Sequence, residues 1–376
     1  MKKILFKKLL LDYLTFFLIA LLASTIIIWV FQAVNFLDIM IEDGRNYLVY
    51  VNYTLLNFPK IFSKLFPFVL FFSLFYVTTR YEFSNELIIL WNYGINKIQI
   101  INFILLISFF LMFVQIILTS IIVPSSQDKA RSFLRTSKVN FFENFIKPQR
   151  FNDTISNVTI YSERKDNEGN LYNLYIKKEV NKNNLQITYA KKGVFKETKG
   201  SPVLVLFEGE TITQKNNKFT NLGFSKSDFS LQNMVSNTIT VTKTQEIPTV
   251  DLLICINFLY DLKFTNKKID IKNCNNNNIK NILKEFYKRL VIPLYIPTLT
   301  LISFLLILKS KENIDFFKMR IMTFIIGLLF IILSETTIRL ISKNLPENIM
   351  IMSIPFLSFV ILYFFFLYKF ILSIKK

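Results

Sequence analysis

The side chains of this 376-residue chain that could do chemistry fall into a few charged sets. Glu82 and Glu86 stand one helical turn apart, beside Leu87, Leu90 and Trp91, whose i, i+3, i+4 spacing shares one helix face. Lys60 and Lys64 are four apart, as are Arg339 and Lys343, and such pairs can hold the phosphates of an anionic lipid. The plain alternative is that each is a long cation snorkelling at a span end, with Glu335 paired to Arg339 inside the fifth apolar run. None of these sets reads as catalytic. Histidine is absent, which removes imidazole bases, Ser-His-Asp triads and His-ligated metals. No Gly-x-x-x-x-Gly-Lys-Ser/Thr loop occurs among only 8 glycines, so neither a nucleotide nor any other cofactor is expected on this chain. Cys255 and Cys274 leave a disulfide open, provided their segment lies outside the cytoplasm.

Membrane elements must position these groups. Six apolar runs, at 11–34, 58–79, 100–123, 287–308, 321–341 and 349–371, each reach the roughly 20 residues a helix needs to cross about 30 Å of hydrocarbon. Prolines 59, 67, 293 and 297 fall within the second and fourth runs, where neighbouring helices can satisfy the freed carbonyls. Lys2, Lys3, Lys7 and Lys8, interleaved with Leu5, Phe6, Leu9 and Leu10, predict an amphipathic lead-in. The first run is too long for a cleavable leader and is expected to stay as a span. Residues 82–94 are too polar to cross; Ser84 is the expected cap and Gly94 the expected stop of a short helix between spans two and three. That helix either docks a partner, with Leu87, Leu90 and Trp91 as anchors, or rests on lipid.

The block from 124 to 281 divides the spans three and three. Alternation at Val158–Ile160, Tyr172–Leu174–Ile176, Leu185–Ile187–Tyr189 and Val203–Val205–Phe207 predicts strands, with a further one at Thr238–Thr240–Thr242 before Pro248. Turn signals at 166–169, Lys191-Lys192-Gly193 and Asn216-Asn217 predict an antiparallel sandwich or partial barrel. Residues 251–262 have helical spacing, and the asparagine run 273–278 reads as loop. Third-span helix is expected to close at Pro124.

The net charge of +19 would suit nucleic acid in a soluble protein, but here Lys and Arg gather at span ends, so no nucleic-acid partner is expected. One set of ends carries Lys2, Lys3, Lys7, Lys8, Arg80, Lys97, Lys309, Lys311, Lys318, Arg320, Lys369, Lys375 and Lys376; the opposite ends carry few. The positive-inside rule therefore puts both termini and the short helix in the cytoplasm and the β block outside.

Three spans, an extracytoplasmic β domain and three more spans, with Ser84-x-Glu86-Leu87 opening the short helix, resemble the LptF/LptG lipopolysaccharide export permease family. The stretch from Glu86 to Gly94 and Arg289-Leu290-x-x-Pro293-Leu294 carry the likeness, and the turn Tyr161-x-x-x-Lys165-Asp166-x-x-Gly169 is nearer the LptF branch. The resemblance implies six transmembrane helices with an inserted periplasmic antiparallel, jellyroll-like domain, in three parts: 1–123, 124–281 and 282–376. It implies a non-catalytic subunit of the inner membrane, paired with an LptG-like (or LptF-like) permease on an LptB-like ATPase dimer, with LptC-like and LptA-like proteins receiving the lipid. The helix around Glu86 would be its coupling helix. Gln32 and Asn35 stand where that family would put basic lipid contacts, so the expected phosphate contacts move to Lys60, Lys64, Arg339 and Lys343. A sensor or scaffold would need an output module, and a secondary transporter midplane ionisable groups with inverted repeats; the sequence offers neither.

Overall fold

The computed structural model describes residues 2–37, 47–136, 146–155, 158–166, 169–181, 184–198, 201–215, 218–230, 243–260 and 273–372. Six of its helices are long and apolar enough to cross a membrane: Lys3–Asn35, Tyr47–Phe83, Lys97–Leu134, Ile279–Leu308, Phe316–Leu340 and Leu345–Ile371. They differ sharply in burial. The apolar window of the fourth is 83% buried within the protein, against 17% for the first and fifth and 11% for the sixth. The fourth span is thus the core of the bundle, and the others turn side chains such as Leu106, Phe110, Phe356 and Ile361 outward, as helices solvated by lipid do.

Contacts group the chain into two units, one of Met1–Phe31, Asn57–Asp128 and Thr242–Lys376, the other of Gln32–Leu56 and Lys129–Val241. In the first, the helices pack through aromatic and small residues. Gly327 of the fifth span lies flat against the ring of Phe71 on the second; a Cβ there would fall inside that ring. The prolines act unequally. Pro59 and Pro67 sit inside a continuous helix. The fourth span instead tightens into 3-10 turns at Ile292–Leu294, beside Pro293, and at Phe304–Leu308. The third span does not close at Pro124. It passes through a π turn at Leu118–Ile122 and continues as helix over Val123–Thr136, because proline is tolerated in a helix's first turn. The lead-in lysines belong to the first helix, which begins at Lys2.

The second unit holds one antiparallel sheet in which consecutive strands pair: β1 (Phe151–Ile155), β2 (Val158–Lys165), β3 (Leu171–Asn181), β4 (Asn184–Thr198), β5 (Ser201–Lys215) and β6 (Lys218–Ser230). Val158, Ile160, Leu174, Ile176, Ala190, Leu204 and Leu206 form its buried face. Strands β2 to β5 lie where alternation predicted them, but the core takes Ala190 of β4 and Leu204 and Leu206 of β5 in place of the predicted Leu185–Ile187–Tyr189 and Val203–Val205–Phe207, and β1 and β6 were not signalled by it. The predicted turn Lys191-Lys192-Gly193 is instead the middle of β4. Gly193 is there for space, since a side chain would collide with Leu174. The predicted strand at Thr238–Thr242 and the Asn216-Asn217 turn lie outside the described residues.

Cys255 and Cys274 are joined in a disulfide, with Cα atoms 5.8 Å apart. It fastens the helix Thr249–Leu259 into a cluster of Ile247, Leu252, Cys255 and Ile282. That cluster reaches the fourth span, which is why residues 243–260 group with the spans although the sequence boundary at 281 sets them with the β block. Replacing Gly327 with Leu should drive the second and fifth spans apart, costing on the order of 1–3 kcal/mol. A lowered melting temperature in detergent is the expected result, and Phe71→Ala in the same chain should restore part of it.

Candidate functional site

A cavity of ≈ 210 Å³ opens in the helical unit, between the second, third, fourth and fifth spans. Lys60 and Lys64 reach it from the second span, Glu285, Lys288 and Arg289 from the fourth, and Glu335 from the fifth. The cations do different work. Arg289 is 2% exposed and fully engaged. Its Nη1 donates to Ile247 O at 2.8 Å and Thr249 Oγ1 at 2.9 Å, its Nη2 to Gln245 O at 3.0 Å, and its Nε to Glu285 Oε1 at 3.2 Å. A planar guanidinium with five fixed donors can satisfy that many acceptors at once; an ammonium cannot. Arg289 is therefore a clamp on the segment 245–249 rather than a free charge.

The lysines stay free. Among the described residues, Lys60, Lys64 and Lys288 form no ion pair, and Glu285 is already bonded to Arg289. Lys60 Nζ reaches only amide oxygens, of Gln127 and Gln245, at 3.5 Å each. Three ammonium groups thus face one uncommitted carboxylate, Glu335. The cavity wall also holds Gln115, whose Nε2 donates to Ser63 O at 2.7 Å while its buried Oε1 has no partner. Gln115 stands just before the π turn. Thr119 in that turn donates to Arg289 O at 2.8 Å, and Thr249 donates to Ser120 O at 2.6 Å, taking up carbonyls that a regular helix would use itself. A hollow of this size with excess positive charge, buried amides and apolar walls at Pro67, Phe68 and Ile331 suits an anionic, hydroxyl-bearing group attached to an apolar body.

The second site is the short helix, Glu86–Asn92. Asn85, not Ser84, begins it, in the left-handed conformation with φ 63. Ser84 Oγ instead donates to Arg80 O at 2.8 Å and Glu86 Oε1 at 3.1 Å. Gly94 ends it as expected: with φ 70, it lets Gly94 N reach Trp91 O at 2.9 Å and Ile95 N reach Leu90 O at 3.3 Å, a Schellman closure. Leu87 and Leu90 are buried in the bundle's own core, with Trp91 packed against it. Glu82 is buried, and Glu86 pairs with Lys8 at 3.1 Å. The side left uncovered is Asn85, Ile89, Asn92 and Tyr93.

A family model described as "Lipopolysaccharide export system permease LptF/LptG" matches residues 8–369. The chain belongs to the LptF/LptG family. It is a multi-pass inner-membrane permease of lipopolysaccharide export, a transport subunit by family rather than an enzyme. It is also 25% identical over 304 residues to an uncharacterized protein, RP871, of Rickettsia prowazekii (strain Madrid E), covering 79% of this chain and 80% of that one.

Of the four expected phosphate contacts, Lys60 and Lys64 line the permease's cavity; Arg339 and Lys343 do not, and are exposed elsewhere on the unit. Glu335, which the alternative reading paired with Arg339, lines the cavity. Sequence reasoning missed Lys288, Glu285 and the glutamines. The available signal was Lys280, Lys284 and Lys288 recurring every four residues ahead of the fourth apolar run. Arg289→Met should destabilise the permease by about 3–5 kcal/mol, because it strands a carboxylate and several buried acceptors. Lys60→Met and Lys64→Met should each stay within about 0.5 kcal/mol, by melting in detergent.

Proposed function

We propose that the permease takes the phosphorylated headgroup of lipopolysaccharide into this cavity at the periplasmic end of the bundle, and that ATP hydrolysis in a separate subunit drives the lipid onward to a periplasmic bridge. The observation that carries the reading is the excess of unpaired lysines, Lys60, Lys64 and Lys288, around Glu335 and an unsatisfied Gln115. Phosphates answer the ammonium groups, and sugar hydroxyls answer Gln115 Oε1 and the carboxylate. The lysine-rich span ends support cytoplasmic termini and a periplasmic β domain. The Cys255–Cys274 bridge supports the same sidedness, since disulfides persist in oxidising compartments.

In this reading an LptB-like ATPase dimer docks on the short helix through Glu86 and the uncovered Asn85, Ile89, Asn92 and Tyr93, while Leu87 and Leu90 tie the helix to the bundle. Arg339 and Lys343 act as further contacts for lipid phosphate outside the cavity. A partner permease of the same family covers apolar surface on the lightly buried spans. The Tyr161–Gly169 turn favours the LptF half, and LptC-like and LptA-like proteins take the lipid from the sheet.

Changing Lys60, Lys64 and Lys288 together to Ala in the assembled complex should weaken photo-crosslinking of lipopolysaccharide at the cavity at least about tenfold, each charged contact being worth roughly 1.5–3 kcal/mol. Unchanged crosslinking and transport would remove the cavity from the reading. Independently, Glu86→Lys should abolish co-purification of the ATPase; retained binding with normal coupled hydrolysis would reject the docking helix.

A further inference from the structure

The short helix is bracketed on both sides by bonds to the far end of the fourth span and the turn that follows it. Before it, Glu82 is 6% exposed, and its Oε1 accepts the main-chain N–H of Lys311 at 2.8 Å. Lys311 answers with its Nζ, donating to Phe83 O at 3.2 Å. Phe83 also stacks edge-on with Phe316 at 5.9 Å and lies under the Arg320 guanidinium at 5.5 Å. After the helix, Lys97 Nζ donates to Ile307 O at 2.8 Å and sits 5.6 Å from the Trp91 ring. Apart from the local Lys97–Trp91 contact, these join residues more than two hundred positions apart and land on the end of the fourth span, the turn after it and the start of the fifth.

Lys97 bonds to Ile307 for a definite reason. The 3-10 turn Phe304–Leu308 ends the helix and leaves its last carbonyls without intrahelical partners. At its other end the same span presents Glu285, Lys288 and Arg289 to the cavity. Between the two ends it is buried from Tyr295 to Ile307, with a second 3-10 turn at Ile292–Leu294, where Ile292 lines the cavity.

We propose that Glu82 and Lys97 are positioning residues that clamp the short helix to the end of the fourth span and the turn after it, so that this span carries a displacement of the helix to Lys288 and Arg289. The inference rests on the docking and cavity roles given above. Glu82 acts through the Lys311 main chain and does not itself meet the ATPase; its carboxylate faces inward. The span flexes at its 3-10 turns, where hydrogen bonding is poorer than in the α segments. A force on the short helix thereby changes how far the cavity lysines stand from one another.

The test uses the full complex with its partner permease and ATPase, purified and reconstituted with lipopolysaccharide. Glu82→Ala should leave ATPase co-purification and basal hydrolysis intact while the lipid moved per ATP falls about tenfold or more, the effect of losing one charged buried hydrogen bond. Glu82→Gln should restore that ratio, because an amide oxygen still accepts the Lys311 N–H. Lys97→Met should uncouple in the same way, and it tests the clamp even if Glu82→Ala fails to fold. Normal lipid per ATP in both Glu82→Ala and Lys97→Met would overturn the clamp. So would loss of ATPase binding in Glu82→Ala, which would move Glu82 to the docking surface and leave docking itself standing. Failure of the unaltered chain to bind the ATPase at all would instead reject the docking role on which the clamp rests.

Discussion

Burial of the fourth span is the constraint to which the other features answer. In a bilayer the tails are as apolar as any leucine, so helices gain little from hiding apolar surface against one another. What holds a membrane bundle is close packing and the hydrogen bonds that cannot be made to lipid. The fourth span concentrates both. Thr298 donates to Pro355 O at 3.3 Å, Tyr287 to Thr337 at 2.9 Å, and Arg289 to the segment 245–249. Its two 3-10 turns are affordable only there, because protein groups such as Lys97 reach the carbonyls they leave exposed. A lipid-facing helix with the same breaks would have no partner for them.

That arrangement explains which charges the protein can tolerate near the membrane. Arg289 is held by geometry: its Nε, Nη1 and Nη2 all donate to protein acceptors and Glu285 balances its charge, so it contributes shape. Lys60, Lys64 and Lys288 are the opposite case. They are exposed to one cavity, lack ion-pair partners, and repel one another at close quarters. Like charges gathered in one hollow make it a place that favours negative charge over positive. Charge that is satisfied shapes the wall, and charge that is not satisfied selects the occupant.

The sequence made much of the fold legible. Runs of about 20 apolar residues follow directly from bilayer thickness, and alternation located the four strands β2 to β5. It failed where a residue's role was spatial. Gly193 reads as a turn residue, yet it sits mid-strand because Leu174 needs the room. Leu87, Leu90 and Trp91 share a face, but spacing does not say whether that face meets a partner or the chain itself; here the leucines are core. For the candidate site, Lys60 and Lys64 were found from their spacing, and Arg339 and Lys343, with equal spacing, lie outside the cavity. Pairs on different helices are set by packing between spans, which no local pattern records. Lys288 was hidden for the same reason, in a helix whose polar face reads as an ordinary solvated one.

The unequal burial of the six spans also says which of them can move. The first, fifth and sixth expose most of their apolar length, so their positions rest on a few joints. One is Gly327 on Phe71, a contact in which a flat ring replaces a missing side chain. Such a joint is held by dispersion, each atom pair contributing only about 0.1–0.2 kcal/mol. The Arg289 clamp does not slide, since its donors are directional. A bundle built this way has a stiff centre and a compliant periphery.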